Sequence, residues 1–316
     1  MGTSSSIIVV ALGGNAIAPV DDEPTVANQF RLTRESLEPI VRLAAEGWRI
    51  AIVHGNGPQV GDELERNEIA RESVAPLPLG ILVAATAGWI GYMIQQSLTN
   101  ALQRAGVERD AITLITQTQV NLDDPGVQSP TKPIGHPLSE PRRKALQEYG
   151  EPVGQDGRRR WRRLAPSPHP IEIVEAAAIR QLVEDGKIVI AAGGGGPPVY
   201  KDEVTGWEGI DAVVDKDLSA AILGKSIGAD VLLILTDVDG VYRDWGEPRQ
   251  ELIRRLSLEE ANLLLQSGEL GEGSMRPKVE AAVSFLRFGG LRAVIAKLEQ
   301  GELALRGEAG TTITGG

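Results

Sequence analysis

The sequence predicts an α/β fold with a mainly parallel sheet covered by helices on both faces. Two observations carry this. Short, continuous, β-branched apolar runs alternate with helical stretches along the 316 residues, as in strands buried on both faces. Glycine-rich loops follow several of these runs directly, where open α/β sheets receive their ligands.

The run from Ser6 to Leu12 is the first strand and breaks at Gly13-Gly14-Asn15, where a backbone free of Cβ atoms can turn its N–H groups towards an anion. Thr25 to Glu46 reads as one long amphipathic helix, with Phe30, Leu37, Ile40, Val41 and Ala44 on one side and Gly47 closing it. Arg49 to Val53 is a second strand, and the loop His54 to Gly61 leads into a helix over Asp62 to Ser73. His54 reads as a satisfied loop histidine rather than a catalytic base. Leu79 to Ala105 is a largely buried helix, and burial of that extent could equally come from a subunit contact. Ala111 to Val120 is a third strand.

Between Asp123 and Pro170 the character changes: prolines and glycines multiply and no long buried segment occurs. This stretch, 123–170, is expected to be a small protruding subdomain within a single domain spanning 1–316, with Lys132 near its base and a short hairpin inside. The basic run Arg158 to Arg163 reads as a solvated face rather than a nucleic-acid surface. Glu172 to Glu184 is a helix, Lys187 to Ala192 a strand running into Gly193 to Gly196, and Asp230 to Leu235 another strand. Leu258 to Gln266 and Val279 to Phe288 are helical; Leu291 to Ala296 and Gly310 to Thr314 complete the strands.

The formal net charge of −11 argues against nucleic acid and anionic membranes as partners. An anionic substrate must then be held by local cations. Without cysteine there is no thiolate or disulfide chemistry, and the three scattered histidines offer little for a metal site. No stretch near the N-terminus suits a signal peptide or membrane span, so a cytoplasmic location is expected.

The chemistry concentrates on lysines, which supply only eight of the 32 basic residues. Asp215-Lys216-Asp217-Leu218 places an ammonium between two carboxylates where a loop enters the helix Ser219 to Ser226. That site is poor for core burial and well placed to meet a transferring phosphoryl group. Lys278 falls in the first turn of a helix, where the macrodipole disfavours a cation unless an anion is also bound. Asp237 and Asp239 have the spacing that starts a calcium loop, but the later ligand positions are missing, and a nucleotide-receiving strand-end loop suits them better. Neither the standard P-loop nor Gly-x-Gly-x-x-Gly occurs.

The chain resembles the carbamate kinases, a branch of the amino-acid kinase family. The likeness rests on Val10-Ala-Leu-Gly-Gly-Asn-Ala16, His54-Gly-Asn-Gly-Pro-Gln-Val-Gly61, Thr131-Lys-Pro-Ile-Gly135, Trp161-Arg-Arg163 with Pro166-Ser-Pro168, Gly193 to Gly196, Asp215 to Leu218, Leu235-Thr-Asp-Val238, and Gly273-Ser-Met with Pro277-Lys-Val-Glu280. The resemblance implies a three-layer αβα sandwich, a homodimer, and reversible phosphoryl transfer between carbamoyl phosphate and Mg-ADP, giving ATP and carbamate. It implies that Lys132, Lys216 and Lys278 handle phosphate and that Asp217 holds lysines in position. Gly13, Gly14, Asn15, Gly55, Asn56 and Gly57 would serve the carbamoyl phosphate side, and Asp237, Val238, Tyr242, Met275 and Pro277 the nucleotide. The chain departs from the family pattern at Pro76-Leu-Pro78, Thr86-Ala-Gly88 and His136-Pro-Leu138, and His169 stands where a lysine is common. If the first three line the acceptor site, a related phosphotransferase acting on another small acid or phosphate is the alternative.

Overall fold

The structure, a computed structural model, describes residues 6–14, 23, 25–156, 159–270 and 275–315. Its centre is an eight-stranded sheet of β1 (Ile7–Leu12), β2 (Arg49–His54), β3 (Ala111–Thr113), β9 (Ile188–Ile190), β12 (Val231–Thr236), β15 (Arg255–Ser257), β16 (Arg292–Lys297) and β17 (Thr311–Thr314). The order is β15-β17-β16-β12-β1-β2-β9-β3. Every neighbouring pair is parallel except β16–β17.

The period of two along a strand divides β1 between two cores. Ile7, Val9 and Ala11 pack in the layer with α7 (Ala176–Glu184), α8 (Lys216–Ile227), α9 (Leu258–Ser267) and α10 (Met275–Arg287). Ile8, Val10 and Leu12 pack in the other, with α2 (Glu38–Ala45), α4 (Leu79–Ala105) and α11 (Gly301–Leu305). All six β1 residues are buried, which explains why this strand reads as an unbroken apolar run.

Several boundaries differ from the sequence reading. The single helix expected over Thr25 to Glu46 is two, α1 (Val26–Ser36) and α2, meeting at Leu37. Pro39 at the start of α2 has no N–H to give to the preceding turn. The helix expected from Asp62 begins earlier: α3 runs Gly57–Ala70, so Gly57 and Gly61 are helical rather than loop. The strand expected over Ala111 to Val120 splits into β3 and β4 (Thr118–Gln119), and β4 joins a separate four-stranded sheet with β8 (Glu172–Ile173), β10 (Pro198–Asp202) and β11 (Gly206–Gly209). Glu172 therefore starts a strand, and the helix begins only at Ala176.

Within 123–170 lie α5 (Pro125–Gln128), α6 (Glu140–Glu148) and a three-stranded antiparallel sheet β5-β7-β6, with β5 Lys132–Ile134, β6 Val153–Gln155 and β7 Trp161–Ala165. Of the described arginines of the basic run only Arg159 is exposed; the other three are not a solvated face. Arg160 and Arg162 both pair with Asp156, and Arg163 pairs with Glu68 and Glu151. Arg162 is buried and also donates to the Gly135 carbonyl. Arg158 lies outside the described residues. Gly61 on α3 accounts for how closely this segment docks: a Cβ there would overlap the Gly135 backbone, whose N–H donates to the Gly57 carbonyl at 2.9 Å.

Candidate active site

The carboxyl ends of β1, β2 and β12 open into one cavity of about 600 Å³. Backbone ladders bring the loops together: Gly13 N–H donates to Leu235 O at 3.0 Å and Gly55 N–H to Leu12 O at 3.1 Å. Beyond those bonds the chain leaves the sheet. Gly13, Gly14, Gly55, Asn56 and Gly57 line one side, and Asp237, Pro277 and Lys278 another, with Lys132 and Asp215 to Asp217 between them.

The charged centre is built on the first turn of α8. Asp215 is its N-cap: Oδ1 accepts the N–H groups of Asp217 at 2.8 Å and Leu218 at 3.3 Å. Its other oxygen takes the Lys132 ammonium from β5. Asp217 accepts Lys216 on Oδ1 at 2.5 Å and Lys278, from the first turn of α10, on Oδ2 at 3.3 Å. Three ammonium groups thus share two carboxylates, leaving one net positive charge at the ends of two helices that add their own positive potential.

Burial alone would raise the Asp215 carboxyl, but Lys132 first, then Lys216 and Lys278, hold it well below the usual carboxylate range. Asp217 behaves likewise: burial opposes ionisation, and Lys216 and Lys278 overcome it. The lysines divide. Burial depresses Lys132, but Asp215 more than compensates and raises it, whereas burial, assisted by the Lys278 charge, leaves Lys216 below an ordinary lysine despite Asp217. The protein only partly offsets the burial of the Lys216 charge, and a bound phosphate would complete its environment.

Asn56 is buried, and its amide donates to Thr86 Oγ1 at 2.9 Å; that hydroxyl donates to Leu82 O at 2.7 Å within α4. Gly194 lies against this amide at φ +67°, a conformation and a clearance that a larger residue lacks. His54 is fully enclosed; burial pushes it down to about 4, partly opposed by the carbonyls of Gly55 and Ala87, so it is neutral near pH 7. A neutral, enclosed imidazole fits a packing residue better than a base.

The structure does not bring Val238, Tyr242 or Met275 into the cavity lining. Tyr242 donates its hydroxyl to Asp239 at 3.0 Å and stacks near Trp245, and Met275 packs against the core. Asn15 lies outside the described residues, as do Gly273 and Ser274. Several lining or supporting positions have no role in the sequence reading, Lys297 among them. Asp215 was readable as an N-cap two residues before the acidic first turn, and Gly194 sat in a conspicuous glycine run; Thr86 stood out only as a departure from the family pattern, with no sign of its contact with Asn56, 30 residues away.

Residues 6–297 match the model of the amino acid kinase family. The chain belongs to that family, on its carbamate kinase branch. It is 43% identical over 310 residues to a carbamate kinase of Pyrococcus horikoshii, covering 97% of this chain and 98% of that protein. It is 44% identical over 310 residues to the carbamate kinase of Halobacterium salinarum, covering 98% of each. Among solved structures, carbamate kinase from Giardia lamblia bound to citric acid superposes with a TM-score of 0.93 at 34% identity, over 98% of this chain and 99% of that one. The same enzyme bound to AMP-PNP gives 0.89 at 33% identity, over 98% and 99%. The three-layer αβα architecture is therefore that of the family.

Proposed function

We propose that the protein is a carbamate kinase, transferring phosphoryl reversibly between carbamoyl phosphate and Mg-ADP to give carbamate and ATP. The observation that supports it most directly is the group of Lys132, Lys216 and Lys278 held by Asp215 and Asp217 at a sheet edge rich in backbone donors. Relatives more than 40% identical over nearly their whole lengths bear that name.

In the ATP-forming direction an oxygen of the ADP β-phosphate attacks phosphorus, the bond from phosphorus to the carbamoyl oxygen breaks, and carbamate departs with both electrons of that bond. Neither partner needs a proton removed, because the attacking group is already an oxyanion; this matches the neutral, enclosed His54. The demand on the protein is in-line placement and cations around oxygens that carry the spread charge. In this reading Lys216 sits closest to the transferring group, Lys132 and Lys278 flank it, and Asp217 fixes two of the three. Gly13, Gly14, Gly55, Asn56 and Gly57 bind the carbamoyl phosphate side, with Asp237 and Pro277 towards the nucleotide.

Mg²⁺ enters as part of the nucleotide substrate. Among the described residues no group of three or more histidine or carboxylate side chains could hold a metal ion. We also assign 123–170 as a protruding subdomain, on the strength of its separate antiparallel sheet. A homodimer is consistent with exposed Ile81 and Tyr92 on α4. No helix among the described residues is long and apolar enough to cross a membrane.

The test is ATP formation from ADP, Mg²⁺ and fresh carbamoyl phosphate, with spontaneous decay subtracted. Lys216→Ala is expected to lower turnover by about a hundredfold or more, the scale of a lost transition-state donor. Near-normal turnover in a folded Lys216→Ala variant would refute the assignment of that lysine, and no turnover by folded wild type that binds ADP would refute the substrate.

A further inference from the structure

The two ends of segment 123–170 are stitched into a neck. Asp124 caps α5 by accepting the Gly126 N–H on Oδ1 at 2.7 Å. Its Oδ2 accepts the backbone N–H of His169 at 3.0 Å and lies 3.2 Å from His169 Nδ1. Ser167 N–H donates to Gly126 O at 2.8 Å, and a Cβ on Gly126 would overlap the Ser167 carbonyl. From this neck the chain rises directly into Lys132, whose residue pairs with Ala165 in the β5–β7 ladder.

The other face of His169 leaves the neck. Its Nε2 lies 3.6 Å from Oε1 of Glu280, on α10, two residues beyond Lys278. One imidazolium therefore joins the base of the segment carrying Lys132 to the helix carrying Lys278, with Asp124 on one side and Glu280 on the other. The charged groups around it are Asp124 from the neck, Glu280 and Arg276 from α10, and Asp215 at the start of α8, the last two acting through Glu280.

We infer that His169 is a positioning residue for phosphoryl transfer: its ion pair with Glu280 sets the separation of Lys132 from Lys278 across the reacting phosphoryl group. This rests on the reading of those lysines given above. The pair acts by leverage. The pair is partly exposed, so its contribution to global stability is small. The two ammonium groups it relates must, however, meet one transition state, and small misplacements there cost rate rather than binding.

The partners raise His169 to about 9: the contact with Glu280 leads, with burial opposing and Asp124 adding to it. The imidazolium link is thus complete below the ordinary histidine value and lost as pH rises through about 9. This supplies a readout that a merely structural contact would not move.

The experiment compares kcat and KM for wild type, His169→Gln, His169→Lys and Glu280→Gln across pH, with Lys132→Ala and Lys278→Ala as references. Near pH 7 His169→Gln and Glu280→Gln are each expected to lower kcat about fivefold, with KM for ADP changed less than about twofold. His169→Lys restores kcat. The wild-type advantage over His169→Gln shrinks towards unity above about pH 9, while that of His169→Lys persists to higher pH. Because the comparison is a ratio, the titration of Lys216 cancels. Equal kcat for wild type and His169→Gln at every pH, with Lys132→Ala and Lys278→Ala impaired, would overturn the inference and leave the site intact. Full activity in those two lysine variants would overturn the reading of the site itself.

Discussion

Lys132 and Asp215, 83 residues apart in sequence, meet in an ion pair whose carboxylate is also the N-cap of the helix that begins with Lys216. A single side chain thus sets the start of α8 and the position of a cation delivered by another sheet. The two tasks can be separated by substitution.

Asp215→Asn keeps a good capping oxygen but removes the charge facing Lys132. Asp215→Ala removes both. Turnover is expected to fall by about tenfold or more in each variant, since hydrogen bonds to charged groups are the strong ones. Asp215→Ala should in addition lose about 1 kcal/mol of stability relative to Asp215→Asn. Steady-state kinetics and denaturant unfolding give the two numbers; wild-type turnover in Asp215→Asn would show that the Lys132 pair is incidental.

Asp217 holds two ammonium groups, and Lys216 is already depressed by burial and by Lys278. A depressed lysine loses its proton at lower pH than a free one, so activity that needs its charge declines early on the alkaline side. Asp217→Asn removes the negative charge that chiefly opposes this depression. The alkaline limb of kcat should move to lower pH by about one unit or more. An unmoved limb, seen in a folded variant, would mean that the limb belongs to another group.

His54 supplies a stability test independent of catalysis. Burial pushes it from 6.5 down to about 4. A lowered histidine is neutral in the folded chain while the unfolded chain already binds a proton, so its neutral packing is fully favourable above about 6.5 and is lost as pH falls towards 4. The loss is on the order of 3 kcal/mol. Denaturant midpoints should fall between about pH 7 and pH 4 in wild type and show a flatter pH dependence in His54→Gln. Parallel curves would assign the acid sensitivity elsewhere.

Much of the architecture was legible because it rests on local pattern. β1 is buried on both faces, so its six residues are apolar without interruption, and the strand and its sheet class follow from that run. Lys216 and Lys278 stood out for equally local reasons: Lys216 lies between two carboxylates where a loop enters a helix, and Lys278 is a cation in the first turn of a helix, where the backbone field opposes it. The breaks were harder to read. Two short helices joined at Leu37 and one long helix share the same apolar stripe, and only the missing N–H of Pro39 distinguishes them. Nor does the spacing of Ala111 to Val120 reveal that its halves belong to different sheets.

What the sequence by itself determined is the order of buried strands and helices, the glycine-rich loops at their ends, and the lysines that stand where loops enter helices, since each depends on neighbours in the chain. Tertiary structure alone decided the pairings: which carboxylate takes Lys132, how Asp217 is shared, what holds Asn56 through Thr86, and that His169 reaches Glu280. Such contacts join residues tens to more than a hundred positions apart, and charge is long-ranged and indifferent to sequence spacing. A row of letters can show which charges exist, but only the packed sheet fixes which of them are desolvated together.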